Sequence, residues 1–460
     1  MSILQQKTIA AISTPSGIGA VGMIRLSGRE AIQVAGRIFR PYDPKRSLEK
    51  LAGYTGALGK IYRLDGTPVD EAVAFVYRSP KSYTGEDVVE LCCHGGTWAV
   101  RQVLRLCLEA GASPAGPGEF TRRAFLNGKM DLTQAEGVMD LVSARGEAAM
   151  RAALAMREGS LSKQVDAFCQ ALLEQSSHIA AWTDYPEEDL IPVDPAELQT
   201  AVEDVLSQIQ GLLKSGERGR LIREGAATAI IGKPNVGKST LMNLLAGEER
   251  SIVTQIPGTT RDVVEETVAV GGILLNLMDT AGIRETEDTV EKIGVERSLK
   301  RLESADLILA VFDGSDELSQ QDIRLLELLR GRLCIGVVNK NDLPSRADRQ
   351  KIQQALGTVV EISAYTGAGR EELEQAILEA LELHRVDTTA AMAMGERQMD
   401  CLRKAEQCLR EALEALEQGM TLYAVAVCLD AALDHLLTLT GKRVTDAVVD
   451  QVFSRFCVGK

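Results

Sequence analysis

The chain has 460 residues, of which 45% are hydrophobic and 25% charged, and its formal net charge is −14. This composition is typical of a soluble globular protein, and the length predicts two or three domains. The acidic balance argues against a protein that coats nucleic acid non-specifically, although it stays compatible with a local basic groove for one folded RNA.

Cysteine spacing and apolar runs argue against two further classes. The nine cysteines include no C-x-x-C pair, so the sequence favours neither a disulfide framework nor a zinc site. The stretch "MSILQQKTIAAI" lacks a basic segment and a cleavage site, and no run approaches roughly eighteen apolar residues. We therefore expect a cytoplasmic protein that does not enter a membrane.

The first half of the chain predicts two domain types. Residues 1–128 contain short β-like runs such as "AVGMIRL" and "DVVELCC", separated by Gly, Pro and Ser turns, which predicts an α+β domain. Residues 129–222 are predicted to begin a helical domain, because apolar residues recur there at helical spacing. The run of Arg218, Arg220 and Arg223 predicts an exposed linker at its end.

The second half predicts an insertion. In residues 223–383 β-like and helical runs alternate, which is typical of a doubly wound nucleotide-binding domain, and Gly271-Gly272 predicts a hairpin within it. Helical spacing returns afterwards, so residues 384–460 are predicted as the second part of the helical domain. The predicted fold is therefore multidomain, with α+β, all-α and α/β parts and the α/β domain inserted.

A phosphate-binding loop is predicted at 232–240. The stretch "GKPNVGKST" fits G-x-x-x-x-G-K-[ST] in full and lies between an apolar strand run and a predicted helix. In that setting the loop N–H groups cradle phosphates, Lys238 reaches the β and γ oxygens, and Ser239 binds Mg²⁺.

Three later motifs specify the nucleotide. "DTAG" (279–282) follows a strand, which places Asp279 to hold the Mg²⁺ shell through water and Gly282 to meet the γ-phosphate. "NKND" (339–342) ends another strand. Asp342 can accept hydrogen bonds from two guanine N–H groups, a pair of donors that adenine does not present. "SAY" (363–365) supports the base. Together the ordered motifs predict a guanine-nucleotide domain of the Ras-like type.

The hydrolytic residues deviate from the common pattern. Many small GTPases place Gln directly after the D-x-x-G motif, whereas Ile283 stands here and can neither position water nor compensate charge. Glu291 is a candidate for the water, and a monovalent ion held by Asn235 and the segment "TQIPGTT" (254–260) is a candidate for the charge. The alternative is a slow switch in which Glu291 is a solvated helix residue.

Further motifs are shared with one known family. They are "STPSGIGAVGMIRLSG" (13–28), "SYTGEDVVEL" (82–91), "HGG" (94–96), "PGEFTRRAFLNGKMDLTQAEG" (117–137), "DYPEED" (184–189), "PGTTRD" (257–262) and the closing "FCVGK" (456–460). Over essentially its full length the chain resembles the bacterial tRNA modification GTPases of the MnmE (TrmE) family.

The resemblance implies a function and partners. It implies a homodimer that forms a heterotetramer with an FAD-dependent partner of the MnmG (GidA) type. This assembly would install an aminomethyl or carboxymethylaminomethyl group at C5 of the wobble uridine, position 34, of certain tRNAs. The one-carbon unit would come from 5,10-methylene- or 5-formyl-tetrahydrofolate, the nitrogen from glycine or ammonium, and the redox step from the partner's flavin.

The resemblance also implies site residues. A folate would be bound by Arg25, Glu90, Lys129 and Lys460; Glu90 suits the amidine-like edge of a pterin, and alternation places it on the strand face opposite Val89 and Leu91. K⁺ would be bound by Asn235, Thr254, Ile256 and Thr259, and Mg²⁺ by Ser239 and Thr260. Glu291, Lys238 and Cys457 would take part in chemistry. The implied GTP contacts are Asn235, Val236, Gly237, Lys238, Ser239, Thr240, Thr254, Gln255, Ile256, Pro257, Gly258, Thr259, Thr260, Asp279, Thr280, Ala281, Gly282, Asn339, Lys340, Asp342, Ser363 and Ala364.

The C-terminal segment "SRFCVGK" leaves two alternatives. It is a poor prenylation signal, because Gly459 and Lys460 do not suit one. Cys457 is either a nucleophile or acid in one-carbon transfer, activated by Arg455 or Lys460, or a cysteine of an ordinary packed end. Cys92 and Cys93, in contrast, are expected to fill the core.

A different functional class fits the same nucleotide motifs. Ribosome-assembly and other RNA-associated regulatory GTPases can also lack the glutamine, and their flanking domains bind RNA or protein without folate chemistry. Such flanking modules are usually basic, whereas this chain is acidic.

Overall fold

The computed structural model describes residues 7–184, 191–247, 266–279, 304–384 and 386–460. The chain divides into two units, one of residues 1–139 with 433–460 and one of residues 140–432. Helices and sheets occur together as the sequence predicted, which confirms the fold class. The domain boundaries at 128, 222 and 383 stay predictions.

The first unit contains a seven-stranded sheet in which only one pair of strands is parallel, the edge strand β7 with its neighbour β1. Its strands are β1 (Ile9–Ile12), β2 (Val21–Ser27), β3 (Phe39–Pro41), β4 (Thr55–Tyr62), β5 (Pro68–Tyr77), β6 (Val88–His94) and β7 (Ser113–Pro114). Their order is β3-β4-β5-β6-β2-β1-β7.

Alternation along the central strands decides which face is buried. Ile24, Leu26 and Leu91 are fully buried in the core that β2 and β6 share with α1 (Ala31–Ile38) and α2 (Thr97–Glu109). Arg25 and Glu90 lie at the intervening positions, directly opposite each other, and therefore on the other face. We call this the open face; the predicted orientation of Glu90 is confirmed.

The C-terminal segment completes the first unit. Helices α3 (Glu119–Leu126), α4 (Leu132–Ser143) and α14 (Asp446–Phe453) surround a small apolar cluster. Phe453 and Phe456 are buried there with Leu132, and the rings of Phe125 and Phe453 have centroids 6.2 Å apart. The end of the chain therefore belongs to the same core as residues near 130.

The second unit contains long helices and an α/β part. Its described helices are α5 (Glu147–Arg157), α6 (Ser160–Asp184), α7 (Pro195–Glu224), α8 (Lys238–Ala246), α9 (Gln320–Leu328), α10 (Arg349–Leu356), α11 (Arg370–Ala380), α12 (Glu396–Glu417) and the first part of α13 (Leu422–Thr440), whose residues from 433 onward belong to the first unit. Asp194 caps α7 by accepting from the Ala196 N–H at 2.9 Å. Gly216 lets α12 approach α7, because a Cβ there would lie 2.1 Å from the Met399 sulfur.

The prediction of an exposed linker at the arginine run was wrong. Arg218, Arg220 and Arg223 all lie within α7, which continues to Glu224. Their side chains form ion pairs, in that order, with Glu382, Asp306 and Asp140. The buried Ile222 between them is the helical signal that the charged run concealed.

The α/β part has the predicted doubly wound topology. Its strands are β8 (Ala226–Ile231), β9 (Glu266–Val270), β10 (Ile273–Asp279), β11 (Leu307–Asp313), β12 (Cys334–Asn339) and β13 (Thr358–Glu361). They follow the order β13-β12-β11-β8-β10-β9, and only the β9–β10 pair is antiparallel. The hairpin predicted at Gly271-Gly272 joins that pair and is confirmed.

One helix among the described residues, α13, is long and apolar enough to cross a membrane by length and composition. Asp430 and Asp434 lie within it, and Asp430 accepts a hydrogen bond from the Ser176 hydroxyl on α6 at 2.7 Å. These contacts suit a helix of a bundle, so α13 is weak evidence for a membrane segment.

We expect Arg123→Met to destabilise the first unit by about 3 kcal/mol, because it leaves partly buried carboxylates without their cation. Arg123 is 3% exposed, and its guanidinium lies 3.1 Å from Glu86 and 2.9 Å from Glu119. Urea unfolding of the full-length protein measures the loss. Arg105→Met, which breaks an exposed pair with Glu109, is the control and should change stability by less than about 0.5 kcal/mol. Equal effects of the two substitutions would contradict the prediction.

Candidate functional site

The phosphate-binding loop connects β8 to α8 in the predicted manner. Gly237 precedes the helix with φ +96°, and a Cβ there would lie 2.2 Å from the Asn339 amide nitrogen. The Lys238 ammonium donates to the carbonyl oxygens of Gly232 at 2.8 Å and Lys233 at 2.9 Å. The loop thus holds the Lys238 ammonium against its own carbonyl oxygens, at the N-terminus of α8.

The side-chain amide of Asn339 connects the residues expected to bind the guanine base to this loop. Asn339 is 3% exposed, donates to the Val236 carbonyl at 2.8 Å and accepts from the Ala364 N–H at 2.9 Å. Asp342 accepts from the Ser363 hydroxyl at 2.6 Å. The phosphate-binding loop, "NKND" and "SAY" therefore lie together. Asn339 fixes the phosphate-binding loop relative to the residues that are expected to bind the base.

Lys340 is oriented by a partly buried neighbour that lies outside the predicted motifs. Its backbone has φ +67°, and its ammonium lies 2.5 Å from Asp313 at the end of β11. Burial opposes ionisation of Asp313, but hydrogen bonds from Lys340 and Ser315 outweigh it and lower the pKa of that carboxyl. Lys340 is thereby fixed beside the predicted base position.

Several predicted ligands lie outside the described residues. These are Thr254, Gln255, Ile256, Pro257, Gly258, Thr259, Thr260, Thr280, Ala281, Gly282 and Glu291; Asp279 is described only as the last backbone position of β10. Ser239 and Asn235 are described and exposed, and the Ser239 hydroxyl has no hydrogen-bond partner among the described residues. An oxygen donor in that position suits a hard cation such as Mg²⁺.

In the first unit, Arg25 and Glu90 form an ion pair on the open face. The Glu90 carboxylate lies 2.9 Å from the Arg25 Nε and 2.8 Å from its Nη2. The Tyr77 hydroxyl donates to the second carboxylate oxygen at 3.1 Å. Burial, followed by the neighbouring Glu90, raises the pKa of Tyr77 to about 12. The tyrosine therefore stays protonated as a donor.

Two aromatic rings and one loop bring the other predicted folate ligands to this pair. The Arg25 guanidinium lies 5.5 Å from the Tyr83 ring and 5.7 Å from the Phe120 ring. Lys129 donates to the carbonyl of Pro80, in the loop that carries Tyr83, at 3.2 Å. The Phe120 N–H donates to the Lys460 carbonyl at 3.2 Å.

The C-terminal tail is ordered and presents its thiol to solvent. The Gly118 N–H donates to the Cys457 carbonyl at 3.3 Å, and the Ser13 hydroxyl donates to the Gly459 carbonyl at 3.1 Å. Gly459 has φ +100°, and a Cβ there would lie 2.2 Å from the Ile12 carbonyl oxygen. Cys457 is nevertheless exposed, so the packed end does not bury its sulfur.

The other cysteines of the first unit behave differently. Cys93 is buried, as expected for core filling, and burial raises the pKa of its thiol to about 11. Cys92 is only half-buried, because it shares the open face with Glu90. Tyr77, Tyr83 and Phe120 were not predicted as site residues. Tyr83 and Phe120 lie within the motifs at 82–91 and 117–137, which were the available signal, whereas Tyr77 reaches Glu90 only because its strand pairs with β6.

Comparison with known proteins identifies the family of the chain. Family models match as "GTP-binding protein TrmE N-terminus" over residues 8–129 and "MnmE helical domain" over residues 132–457. The tRNA modification GTPase MnmE of Geobacillus kaustophilus is 46% identical over 460 residues, covering 98% of this chain and 99% of that protein. The chain belongs to the MnmE family of tRNA modification GTPases.

Other MnmE proteins are similarly related. The Symbiobacterium thermophilum protein is 44% identical over 99% of this chain and 100% of its own length, and the Bacillus subtilis protein 43% over 98% and 100%. The solved G domain of the T. maritima FeoB iron transporter matches at 31% identity with a TM-score of 0.26, over 34% of this chain and 98% of that one. The relationship to these MnmE proteins confirms the predicted family. It also confirms the prediction that the protein is a GTPase of tRNA modification.

We expect Asp342→Asn to weaken GTP binding roughly tenfold or more, since a charged acceptor of two guanine N–H groups is lost. Xanthosine triphosphate should gain affinity in the same variant, because the asparagine amide can donate to the carbonyl that replaces the guanine amino group. Competition binding with both nucleotides measures the exchange. Asp348→Asn, at the cap of α10, is the control; a parallel loss there, or no gain for the xanthine nucleotide, would contradict the assignment.

Proposed function

We propose that this MnmE family member is a potassium-dependent GTP hydrolase that modifies wobble uridines of tRNA with an FAD-dependent partner. It would install an aminomethyl or carboxymethylaminomethyl group at C5 of uridine 34, using a one-carbon unit of tetrahydrofolate. The observation that carries the proposal is the convergence in one unit of the Arg25–Glu90 pair, Lys129, Lys460 and an exposed Cys457.

The chemistry of this cluster suits a folate. Glu90 offers a carboxylate held in place by Arg25 and Tyr77, and a pterin presents adjacent N–H donors that a carboxylate can accept. The rings of Tyr83 and Phe120 provide apolar surface at the same place. Lys129 and the Lys460 side chain would bind the ligand's anionic groups. When bound, 5,10-methylene- or 5-formyl-tetrahydrofolate would supply the one-carbon unit.

Cys457 would act beside this folate site as a nucleophile or acid. Its main chain is fixed by the hydrogen bond from Gly118, while its thiol is open to solvent and hence to a polynucleotide. A fixed backbone with an accessible sulfur favours a chemical role over a packing role.

In the GTP site, K⁺ would compensate transition-state charge and Glu291 would orient water, the roles that an arginine and a glutamine have in other GTPases. Ser239, with Thr260, would bind Mg²⁺, and Lys238 would contact the β and γ phosphates. Asn235, Thr254, Ile256 and Thr259 would bind K⁺, and Glu291 would orient the attacking water. Ile283 in place of glutamine is what motivates this arrangement.

The open face supports a homodimer. Val21, Leu58 and Phe75 lie on it and are 58%, 52% and 39% exposed. Large apolar side chains grouped around a binding site mark an interaction surface, and a second copy of this chain would cover it. The heterotetramer with the FAD-dependent partner, the tRNA substrate and a cytoplasmic location complete the proposal.

We expect Cys457→Ser to abolish the wobble modification while GTP hydrolysis continues at the wild-type rate, because the tail and the GTP loop perform different steps. The variant would replace the native protein in cells, and modified uridines in digested bulk tRNA would be quantified by mass spectrometry. Cys428→Ser, a half-buried cysteine of α13, is the control. Normal modification in the Cys457 variant would make the tail an ordinary packed end, and would favour a regulatory GTPase without folate chemistry if folate binding were also absent.

We expect GTP hydrolysis to be much faster in KCl than in NaCl at equal ionic strength, since K⁺ supplies transition-state charge compensation that Ile283 cannot. Single-turnover rates measured with purified protein test this, and nucleotide affinity in both salts serves as the control. Equal rates in the two salts, with equal affinity, would remove K⁺ from the proposal.

A further inference from the structure

A second lysine of the phosphate-binding loop, Lys233, is bound by two carboxylates that lie outside the nucleotide motifs. Its ammonium lies 3.3 Å from an Asp316 oxygen and 3.3 Å from an Asp322 oxygen. The side chains of Lys233 and Asp322 are 17% and 2% exposed, whereas that of Asp316 is 66% exposed. Because solvent screens an exposed pair, the contact with Asp322 is the one that fixes the lysine.

Asp322 in turn needs this lysine. It is the third residue of α9, and the oxygen that faces Lys233 also accepts from the Ser319 N–H at 2.9 Å and the Ser319 hydroxyl at 2.7 Å. Its second oxygen is buried and has no hydrogen-bond partner among the described residues. A buried carboxylate in this state needs a cation beside it, and Lys233 supplies that charge. Burial opposes the charge of the ammonium, but Asp322 and Asp316 outweigh this effect and raise the pKa of Lys233.

The backbone of Lys233 receives the lysine that is proposed to contact the phosphates. The Lys238 ammonium donates to the Gly232 carbonyl at 2.8 Å and to the Lys233 carbonyl at 2.9 Å. Gly232 is fixed on β11, because a Cβ there would lie 2.3 Å from the Val311 carbonyl oxygen. The Lys233 carbonyl is fixed differently, since the side chain of the same residue ties it to the start of α9.

The loop depends on such ties because it has no regular structure of its own. Residues 232–237 lie between β8 and α8, outside helix and strand. Pro234 has no N–H to donate, and Asn235 has φ +64°, in the left-handed region. The Val236 carbonyl is held by the Asn339 amide. The ion pair of Lys233 is the corresponding tie at the beginning of the loop.

The segment that carries Asp322 also reaches the other end of the nucleotide site. It runs from the end of β11 to the start of α9, and it begins with Asp313, which holds Lys340 beside the predicted base position. Separate acids of one segment therefore hold one lysine of the phosphate-binding loop and one of "NKND". Loss of the Lys233 pair should consequently change the phosphate contact and leave the base contact in place.

We propose that Lys233 and Asp322 are positioning residues for GTP hydrolysis. Asp322 holds the side chain of Lys233, and the Lys233 carbonyl holds the Lys238 ammonium. Lys238 is thereby aimed at the β and γ oxygens, where a preorganised cation stabilises the negative charge that develops during hydrolysis. The inference rests on the phosphate contact of Lys238 in the proposed function.

The pair is tested by removing both of its charges, so that no uncompensated ion stays buried. The double variant Lys233→Met with Asp322→Asn is made in the full-length protein, and single-turnover hydrolysis of saturating GTP is measured in KCl. The rate should fall about tenfold or more, since a misplacement of about 1 Å can cost up to about 100-fold. The ratio of the affinities for GTP and xanthosine triphosphate should stay within about twofold of the wild-type ratio, because Asp313 and Lys340 are unchanged.

A second variant tests the same tie where the double variant does not fold. Asp322→Asn alone keeps the cap of α9, because the asparagine oxygen still accepts from the Ser319 N–H, and Lys233 keeps its exposed partner Asp316. Hydrolysis should fall about fivefold or more. Lys233→Arg should stay within about threefold of the wild type, because a guanidinium can pair with both carboxylates.

Two controls separate positioning from loss of structure. Ser319→Ala weakens the cap of α9 but keeps the ion pair, so it should lower the melting temperature and leave the hydrolysis rate within about twofold. Asp316→Asn removes the exposed partner of the same ammonium and should also change the rate by less than about twofold.

Three results would overturn the inference: a near-normal rate in the folded double variant, an equal loss in Ser319→Ala or Lys233→Arg, or a changed ratio of the two nucleotide affinities. Lys238→Met, which removes the proposed phosphate contact itself, separates this inference from the proposed nucleotide site. If Lys238→Met binds and hydrolyses GTP as the wild type does, both fail together. If it loses hydrolysis while the double variant is normal, only the role of Lys233 and Asp322 fails.

Discussion

The attachment of the C-terminal tail to the first unit is the constraint on which the rest of the structure depends. Main-chain groups of Cys457, Gly459 and Lys460 are bound by Gly118, Ser13 and Phe120. Gly459 is required where it lies, since any side chain would meet the Ile12 carbonyl. The chain therefore leaves the first unit after residue 139, forms residues 140–432, and returns to the first unit at residue 433.

Carboxylates with fixed cationic or protonated partners organise both units. Glu90 is held by Arg25 and Tyr77 on the open face, and Asp313 is held by Lys340 beside the predicted base position. Each acid is partly withdrawn from water, so its charge is maintained by a neighbour rather than by solvent. A ligand that replaces the neighbour's hydrogen bonds can then bind without having to desolvate the acid.

The sequence predicted those parts that local patterns encode. The order of motifs around Lys238, Asp279 and Asn339 was sufficient for the nucleotide domain, because parallel strands bring their carboxyl ends to one edge of the sheet. Alternation alone placed Glu90 on the correct face. The hairpin at Gly271-Gly272 followed from two glycines between β-like runs.

The features that the sequence did not predict depend on contacts between residues far apart in sequence, which local periodicity does not reveal. The arginines of α7 appeared to be a linker because their partners are 83 to 164 positions away in sequence, as Arg223–Asp140 and Arg218–Glu382 illustrate. The support of Glu90 by Tyr77 and the link from Asn339 to Val236 arise only when distant strands meet. The apolar length of α13 was overlooked because two aspartates interrupt it.

The bond between Ser13 and Gly459 joins residues 446 positions apart, and this has a consequence for biosynthesis. Residues 1–139 are synthesised before residues 140–432, yet the unit to which they belong lacks part of its core until residues 433–460 have been added. Domains generally fold as they emerge, but this unit has to wait for residues 433–460. A polypeptide that is released before those residues would keep its nucleotide motifs but would lack the tail that binds Ser13, Gly118 and Phe120.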